Sequence, residues 1–354
     1  MAKYYDGTKL LSLSDINGNK PEIYMCTSNR SAGKTTYFNR LCVNRFQDSG
    51  EKFIVLYRFK YELDDIADKF FKDIGPLFFP DKIMRSEPRA GGIYHTLFLQ
   101  DADDDSAKGG VPCGYAMCLN SADQIKKYSH LFSDVKRIVF DEFQSETNHY
   151  CNNEVKKFIS IHTSIARGHY KQSRYVPVYM LSNPVTILNP YYVHLGISER
   201  LMKNTKFLKG EGFVLEQGYN EGASKAQNKS AFNKAFSKDA YVAYSAESVY
   251  LNDQLAFVNK MTGKSRYLCT LKYENTEFAI REFPEEGVLY CDTRIDTSFK
   301  GKIAVTTDDH NINYVMLNYN KLFLQQLRYF FDRGCFRFKD LRCKEVVLKA
   351  LSYY

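Results

Sequence analysis

The chain has 354 residues, 44% hydrophobic and 25% charged, too long for one ordinary core and balanced like a soluble globular protein of two domains. No apolar run approaches the roughly eighteen residues a membrane helix needs, and the start, Met1-Ala2-Lys3-Tyr4-Tyr5-Asp6, lacks the apolar core and cleavage pattern of a secretory leader, so the expected location is the cytosol without membrane contact. A net charge of +8, from 49 Lys and Arg against 41 Asp and Glu, permits a polyanionic partner without requiring one.

The first apolar run, Ile23-Tyr24-Met25-Cys26, reads as a strand. It is followed by Ser28-Asn29-Arg30-Ser31-Ala32-Gly33-Lys34-Thr35-Thr36 and then by a helix-forming segment. Strand, loop and helix N-terminus in that order make a phosphate cradle: backbone N–H groups point at anionic oxygens, and a lysine reaches the β and γ groups. Gly33, Lys34 and Thr35 supply the second half of the pattern, with Thr35 as a Mg²⁺ ligand, while Ser28 stands where the consensus has its first glycine. Gly263-Lys264-Ser265 repeats the triplet, but in a turn before a strand and with no helix behind it, so no phosphate site is expected there.

Candidate strands at 22–26, 52–58, 136–140 and 175–181 alternate with helical patterns up to about residue 200, the form of a parallel sheet covered by helices. Between Ser86 and Asn120, Gly91-Gly92 precedes the apolar run 93–99. The acidic tract from Asp101 to Asp105 then leads through Gly109-Gly110 into a second run, which predicts a hairpin with a water-facing tip. Nine scattered cysteines form no Cys-x-x-Cys pair and read as reduced core thiols; Cys113, Cys118 and His130 lack a fourth zinc ligand at a usual spacing.

Arg137-Ile138-Val139-Phe140-Asp141-Glu142 is an apolar strand ending in two carboxylates. Paired with the loop upstream, Asp141 is expected to orient a Mg²⁺ shell and Glu142 to act as general base on the water that attacks the γ-phosphate. A glutamate directly after the aspartate favours water as acceptor, hence an ATPase over a small-molecule kinase. Residues 153–166 place Val155, Phe158, Ile159, His162 and Ile165 on one face of a helix that ends at Arg167-Gly168. Two roles fit Arg167: a cation complementing the helix dipole, or an arginine finger reaching a neighbouring subunit's γ-phosphate; Arg174 and Arg200 are its rivals. Ser182 and Asn183, with Pro184 after them, close the run 175–181 at a strand's carboxyl edge, where they either sense the γ-phosphate or start a turn. His162 reads as a satisfied core histidine. Arg58, Lys60, Lys126, Lys127, Lys136 and Arg137 lie near expected loop edges beside aromatic residues, a mixture that suits phosphates and sugars.

From Lys203 to about Ala246 the composition turns to Lys, Asn, Gly, Ser and Ala, which places a linker or lid at 203–246 between a domain at 1–202 and another at 247–354. In the second domain the runs 266–273, 276–283 and 287–292 predict an antiparallel meander, and Asn320 to Arg333 a helix stopped by Gly334, giving a smaller α+β unit.

The loop with its internal arginine, the Val-Phe-Asp-Glu-Phe strand end, Asn153-Glu154-Val155 opening a helix that closes on Arg167, and Leu181-Ser182-Asn183 with Asn189-Pro190-Tyr191 together resemble the phi29-like DNA packaging ATPases of small tailed phages. Asp292-Thr293 and Thr306-Thr307-Asp308-Asp309 extend the resemblance through most of the chain. It implies an ASCE-type P-loop ATPase domain with a mainly parallel sheet, followed by a ribonuclease-H-like domain. It also implies ATP and Mg²⁺ as cofactors and a homo-oligomeric, pentameric ring at the prohead portal (connector) that drives double-stranded DNA inward, working from the host cytoplasm, with a structural packaging RNA as a possible scaffold. Carried onto this sequence, Lys34 and Thr35 match the phosphate and metal ligands, Asp141 and Glu142 the metal and water acids, and Arg167 the finger acting in trans. Ser28 and a longer acidic hairpin depart from the family pattern.

Large terminases join such an ATPase to a nuclease whose first strand carries an aspartate of a two-metal site. Here that strand, Tyr267 to Tyr273, has no carboxylate, and although Asp292, Asp296, Asp308 and Asp309 remain nearby in sequence, nuclease activity is not expected. A docking domain with cations such as Lys264, Arg266, Lys300, Lys302 and Arg337 facing nucleic acid or the portal is the expectation. The alternatives are a terminase with a live nuclease and a non-catalytic nucleotide-gated nucleic-acid-binding scaffold.

Overall fold

The structure, a computed structural model, describes residues 4–352 apart from 105, 107–108, 148, 168–171, 199, 202–204, 238–241, 243–244 and 246–256. Two compact units divide at Asn252 and Asp253.

In the first unit, nine strands form one sheet: β1 (Ile23–Thr27), β2 (Lys52–Tyr57), β3 (Lys82–Arg89), β4 (Tyr94–Asp101), β5 (Val111–Cys118), β6 (Val135–Asp141), β7 (Val178–Ser182), β8 (Phe207–Gly210) and β9 (Phe213–Gln217). Their order is β3-β4-β5-β2-β6-β7-β1-β9-β8. From β5 across to β9 every pairing is parallel, and only the pairings β3–β4, β4–β5 and β9–β8 are antiparallel. β7 therefore separates β1 from β6. Successive residues of the central strands feed opposite faces: Met25, Ile54, Ile138, Phe140 and Met180 pack on one side, and Tyr24, Cys26, Val55, Val139 and Leu181 on the other. Burial on both faces explains why these strands read as unbroken apolar runs, each such side chain contributing about 1.5–3 kcal/mol of transfer free energy.

Two expectations need correction. Residues 203–246 are not simply a linker: Phe207–Gly210 and Phe213–Gln217 extend the sheet, with β9 pairing in parallel with β1. The polar residues Lys209, Gly210, Glu211 and Gly212 hid this pair because β8 is an edge strand, half-exposed along most of its length. The helix at Glu154–Ile165 buries Glu154, Phe158, Ile161, Ser164 and Ile165, while Ile159 is exposed; its inner face is rotated because Glu154 is held inside by an ion pair. The expected hairpin is present as β4–β5, with Asp101, Asp103 and Asp104 facing water at its tip, and β3 adds a further antiparallel strand beside β4. Cys113 donates to the Leu97 carbonyl and Cys118 lies 3.2 Å from the Ser121 hydroxyl, as core thiols do.

In the second unit a meander of β10 (Arg266–Tyr273), β11 (Thr276–Phe283) and β12 (Val288–Asp292) is extended by β13 (Lys302–Ala304), β14 (Val315–Met316) and β15 (Phe336–Phe338) in the order β14-β13-β10-β11-β12-β15. β13 is parallel to β10 and β14 to β13. The helices Lys321–Asp332 and Leu341–Leu351 cover one face, packing Leu324, Leu327, Val346 and Val347 onto Leu271, Ile280 and Leu289.

Candidate active site

β1 ends at Thr27, and the loop behind it turns into the sixteen-residue helix Lys34–Ser49. Gly33 is the N-cap at φ 93, where a side chain would be strained, and Ser31 also takes a left-handed conformation at φ 59. Much of the loop is spent on anchoring. Ser28 N–H donates to the Ser182 carbonyl at 3.3 Å, tying the loop to β7, and Tyr5 N–H donates to the Ala32 carbonyl at 2.9 Å. Asn29 is turned away from the phosphate side: its amide accepts from Asn220 N–H at 2.9 Å and donates to the Asn220 carbonyl at 3.1 Å. Gln227 Nε2 reaches the Arg30 carbonyl at 3.1 Å. Asn220 also caps the helix Glu221–Lys229, so this segment braces the loop.

The side chains that face the cradle converge. Thr35 Oγ1 donates to Asp141 Oδ1 at 3.4 Å across 106 residues of sequence, and Lys34 Nζ donates to Asn183 Oδ1 at 2.7 Å. Arg30, Ser31, Lys34, Thr35, Asp141, Glu142, Ser182 and Asn183 line a cavity of about 240 Å³. Of the other expected phosphate-loop residues, Ser28, Asn29, Ala32, Gly33 and Thr36 do not line it; Ser28, Asn29 and Ala32 are buried in the anchoring contacts, and Thr36 is half-buried on the helix. Ser182 Oγ donates to the Asn183 carbonyl at 2.7 Å, so the serine makes the turn while the asparagine faces the lysine.

Electrostatics distinguish this cavity. Burial lowers the pKa of Lys34, with Cys26, Asp141 and Glu142 opposing. Burial raises Asp141, with Lys34, the Glu142 N–H and the Thr35 hydroxyl opposing. Glu142 is raised as well, first by desolvation in the cleft and then by the charges of Asp141, Glu146 and Glu62, with Arg30 opposing. Its backbone stands at φ 54, and its N–H donates to Asp141 Oδ1 at 3.0 Å. A left-handed non-glycine residue costs roughly 1–2 kcal/mol, and such strain gathers at functional sites. Hard oxygens at Thr35 and Asp141 beside a desolvated ammonium suit a divalent cation and a polyphosphate.

Arg167 is exposed and does not line this cavity; Gly168 lies outside the described residues. Its rivals have other work. Arg174 is buried and donates to the carbonyls of Val135 at 2.9 Å and Ile165 at 2.6 Å, so it caps the helix end. Arg200 donates to the Lys209 carbonyl at 2.5 Å. His162 lies 2.9 Å from the Val176 carbonyl. Two cations expected at a nucleic-acid surface are buried instead: Arg58 pairs with Glu154 at 2.9 Å, and Arg137 pairs with Glu51. Sequence reasoning missed Asn220 and Gln227 as loop braces and Arg58 as a buried member; the N-cap signal of Asn220 before Glu221 was the one available trace.

A family profile described as Podovirus DNA encapsidation protein (Gp16) matches residues 1–352. The DNA packaging protein of Bacillus phage phi29 is 26% identical over 341 residues, covering 95% of this chain and 93% of that protein. The DNA packaging protein of Bacillus phage B103 is 28% identical over 315 residues, covering 88% and 90%. Among solved structures, a chain of the bacteriophage phi29 viral genome packaging motor assembly superposes with a TM-score of 0.68 over 99% of this chain and 97% of that one, at 22% identity, a likeness of fold.

Proposed function

The chain belongs to the podovirus DNA encapsidation protein (Gp16) family, and on that premise we propose that it is the ATPase of a phage packaging motor, hydrolysing Mg²⁺-bound ATP to drive double-stranded DNA into a preformed prohead. The observation that carries this reading is the meeting of Thr35 and Asp141 beside Lys34. An ASCE-type P-loop domain is supported by β7 standing between β1 and β6, and by Glu142 following Asp141.

Thr35 and Asp141 would hold the Mg²⁺, whose chemistry there is to neutralise phosphate charge. Lys34 would exchange its bond to Asn183 for one to the β and γ oxygens, leaving the Asn183 amide facing the γ position. Glu142, kept partly desolvated, accepts the proton of the attacking water. Arg167 acts in trans, a reading supported by its exposure and by Arg174 serving as the helix cap in its place. A cavity of about 250 Å³ adjoins Glu142; its lining holds Glu62 and Glu146 together with Arg30, which pairs with Glu146, and Arg58. The assembly proposed is a homo-pentameric ring at the portal vertex, formed from subunits in the host cytoplasm, with a structural RNA as scaffold.

For the second unit we propose a ribonuclease-H-like fold kept for docking, supported by a three-strand meander with two further strands added in parallel beside its first. β10 carries no carboxylate, and the nearby Asp292 and Asp309 are consumed by arginines, backbone amides and a hydroxyl.

ATP turnover by the full chain, with and without linear double-stranded DNA, tests the proposal. DNA should stimulate turnover, and the stimulation should weaken steeply between about 50 and 200 mM salt as counterion release becomes less favourable. Absence of ATP turnover, or a stimulation indifferent to salt, would overturn it.

A further inference from the structure

Glu142 begins an excursion between β6 and the helix Glu154–Ile165, and the backbone is left-handed at both ends of it: Glu142 at φ 54 and Asn153 at φ 55. Neither is glycine, so surrounding contacts must hold both conformations. One side chain, from the residue after a different strand, reaches both ends of the excursion. Arg58 follows β2 and is 5% exposed. Its Nη1 donates to the Glu142 carbonyl at 3.2 Å and its Nη2 to the Phe143 carbonyl at 2.8 Å. Its Nε faces both oxygens of Glu154, at 2.9 and 3.1 Å. Glu154 in turn accepts from Cys151 N–H at 2.8 Å and from the Tyr191 hydroxyl at 3.0 Å. A single guanidinium fork thus grips the first two residues of the excursion and, through one carboxylate, its last ones.

We infer that Arg58 is a positioning residue for ATP hydrolysis: with Glu154 it clamps the 142–154 excursion and so fixes the strained backbone from which Glu142 addresses the attacking water. The inference rests on the assignment of Glu142 as the general base. Arginine suits this work because its planar donors serve two carbonyls and a carboxylate at once, whereas a lysine ammonium on a flexible stem keeps the charge but not the fork. The charge itself is satisfied in place, since Glu154 is 3% exposed and bonded on both oxygens. Because Glu154 opens the helix that Arg167 follows, the clamp also joins the catalytic glutamate to the element bearing the proposed finger.

A buried ion pair that merely stabilises the fold would look similar, so the test separates the two roles. Arg58→Lys is compared with wild type in the full chain for kcat, ATP affinity and unfolding midpoint, alone and in a Glu142→Gln background. Misplacing the base by an ångström or so should lower kcat about 10²-fold, leave ATP affinity within about twofold, and cost nothing further once Glu142→Gln has removed the base. Unchanged kcat in Arg58→Lys, or an equal loss in both backgrounds, would overturn the inference. If Arg58→Lys fails to fold, Glu154→Gln, which keeps a hydrogen-bonding side chain under the guanidinium, carries the same comparison with the same two outcomes. A wild type that hydrolyses no ATP would sink the reading of the site itself. A working wild type with a dead Glu142→Gln and a normal Arg58→Lys would sink only the clamp.

Discussion

Asp141 and Asp292 each close a strand, one in each unit, and their surroundings differ in kind. Asp292 is fully buried and saturated: Arg294 donates to it from its backbone N–H and Nε, both at 2.9 Å, and Arg281 lies 3.4 Å away. Asp141 has a hydroxyl at 3.4 Å and the neighbouring amide at 3.0 Å, and among the described residues no cation stands within ion-pair distance of it. Its pKa is raised by desolvation, as is that of Glu142 beside it. Asp309 repeats the saturated pattern with two backbone amides and the Thr306 hydroxyl. A carboxylate whose lone pairs are all used serves architecture. One left short of donors in a desolvated cleft is poised for a ligand that brings positive charge.

The largest expected effect sharpens this contrast by exchange of single atoms. Glu142→Gln should lower ATP turnover by about 10²–10⁴-fold, the usual worth of a positioned base, while ATP still binds; Asp292→Asn should leave turnover unchanged. Equal effects in the two variants would erase the distinction between the units. Next in size, Lys34→Ala and Arg167→Ala should each silence turnover roughly 10³-fold, and mixing the two proteins should restore part of it if the finger works across subunits. No recovery in mixed assemblies would return Arg167 to a structural role.

How much of this could be read in the sequence follows from distance along the chain. The loop after β1 and the acid pair closing β6 are linear motifs, so the sequence alone singles out Lys34, Thr35, Asp141 and Glu142, which the structure brings to one cavity. The braces were not, because Asn29 and Asn220 stand 191 positions apart and Arg58 and Glu154 stand 96 apart, with no local periodicity to announce either pair. Arg58 reads as one of a group of loop-edge cations for the same reason: a lone arginine after a strand carries no sign of the carboxylate that will bury it. The lid region failed differently, since β8 is an edge strand whose polar residues mimic a linker.

Smaller effects concern stability. Asp309→Ala strands two backbone amides and a hydroxyl in a buried place and should destabilise the second unit by about 2–4 kcal/mol in chemical denaturation, with ATP turnover per folded molecule intact; loss of turnover at full folding would break the division of labour. The two units should also answer pH in opposite senses. As the proposed base Glu142 must be ionised, and its pKa is raised, so activity should rise with pH through a limb above the ordinary glutamate range. In the second unit burial pushes the Glu345 pKa up to about 7, so between the ordinary glutamate range and 7 the folded state keeps a proton that the unfolded state has released. Stability of that unit should therefore fall by about 1–3 kcal/mol as pH rises from the ordinary glutamate range through 7, and a Glu345→Gln variant should lose the slope. A flat profile in wild type would remove Glu345 as its source.

The central claim is that the loop after β1 and the acids after β6 close around one metal–triphosphate, and calorimetric titration of ATP into the full chain tests it most directly. With Mg²⁺ present the wild type should give saturable heat that weakens sharply when the metal is chelated, and Asp141→Asn should bind ATP weakly and without regard to Mg²⁺. No heat in the wild type, or the same Mg²⁺ dependence in Asp141→Asn, would contradict the account.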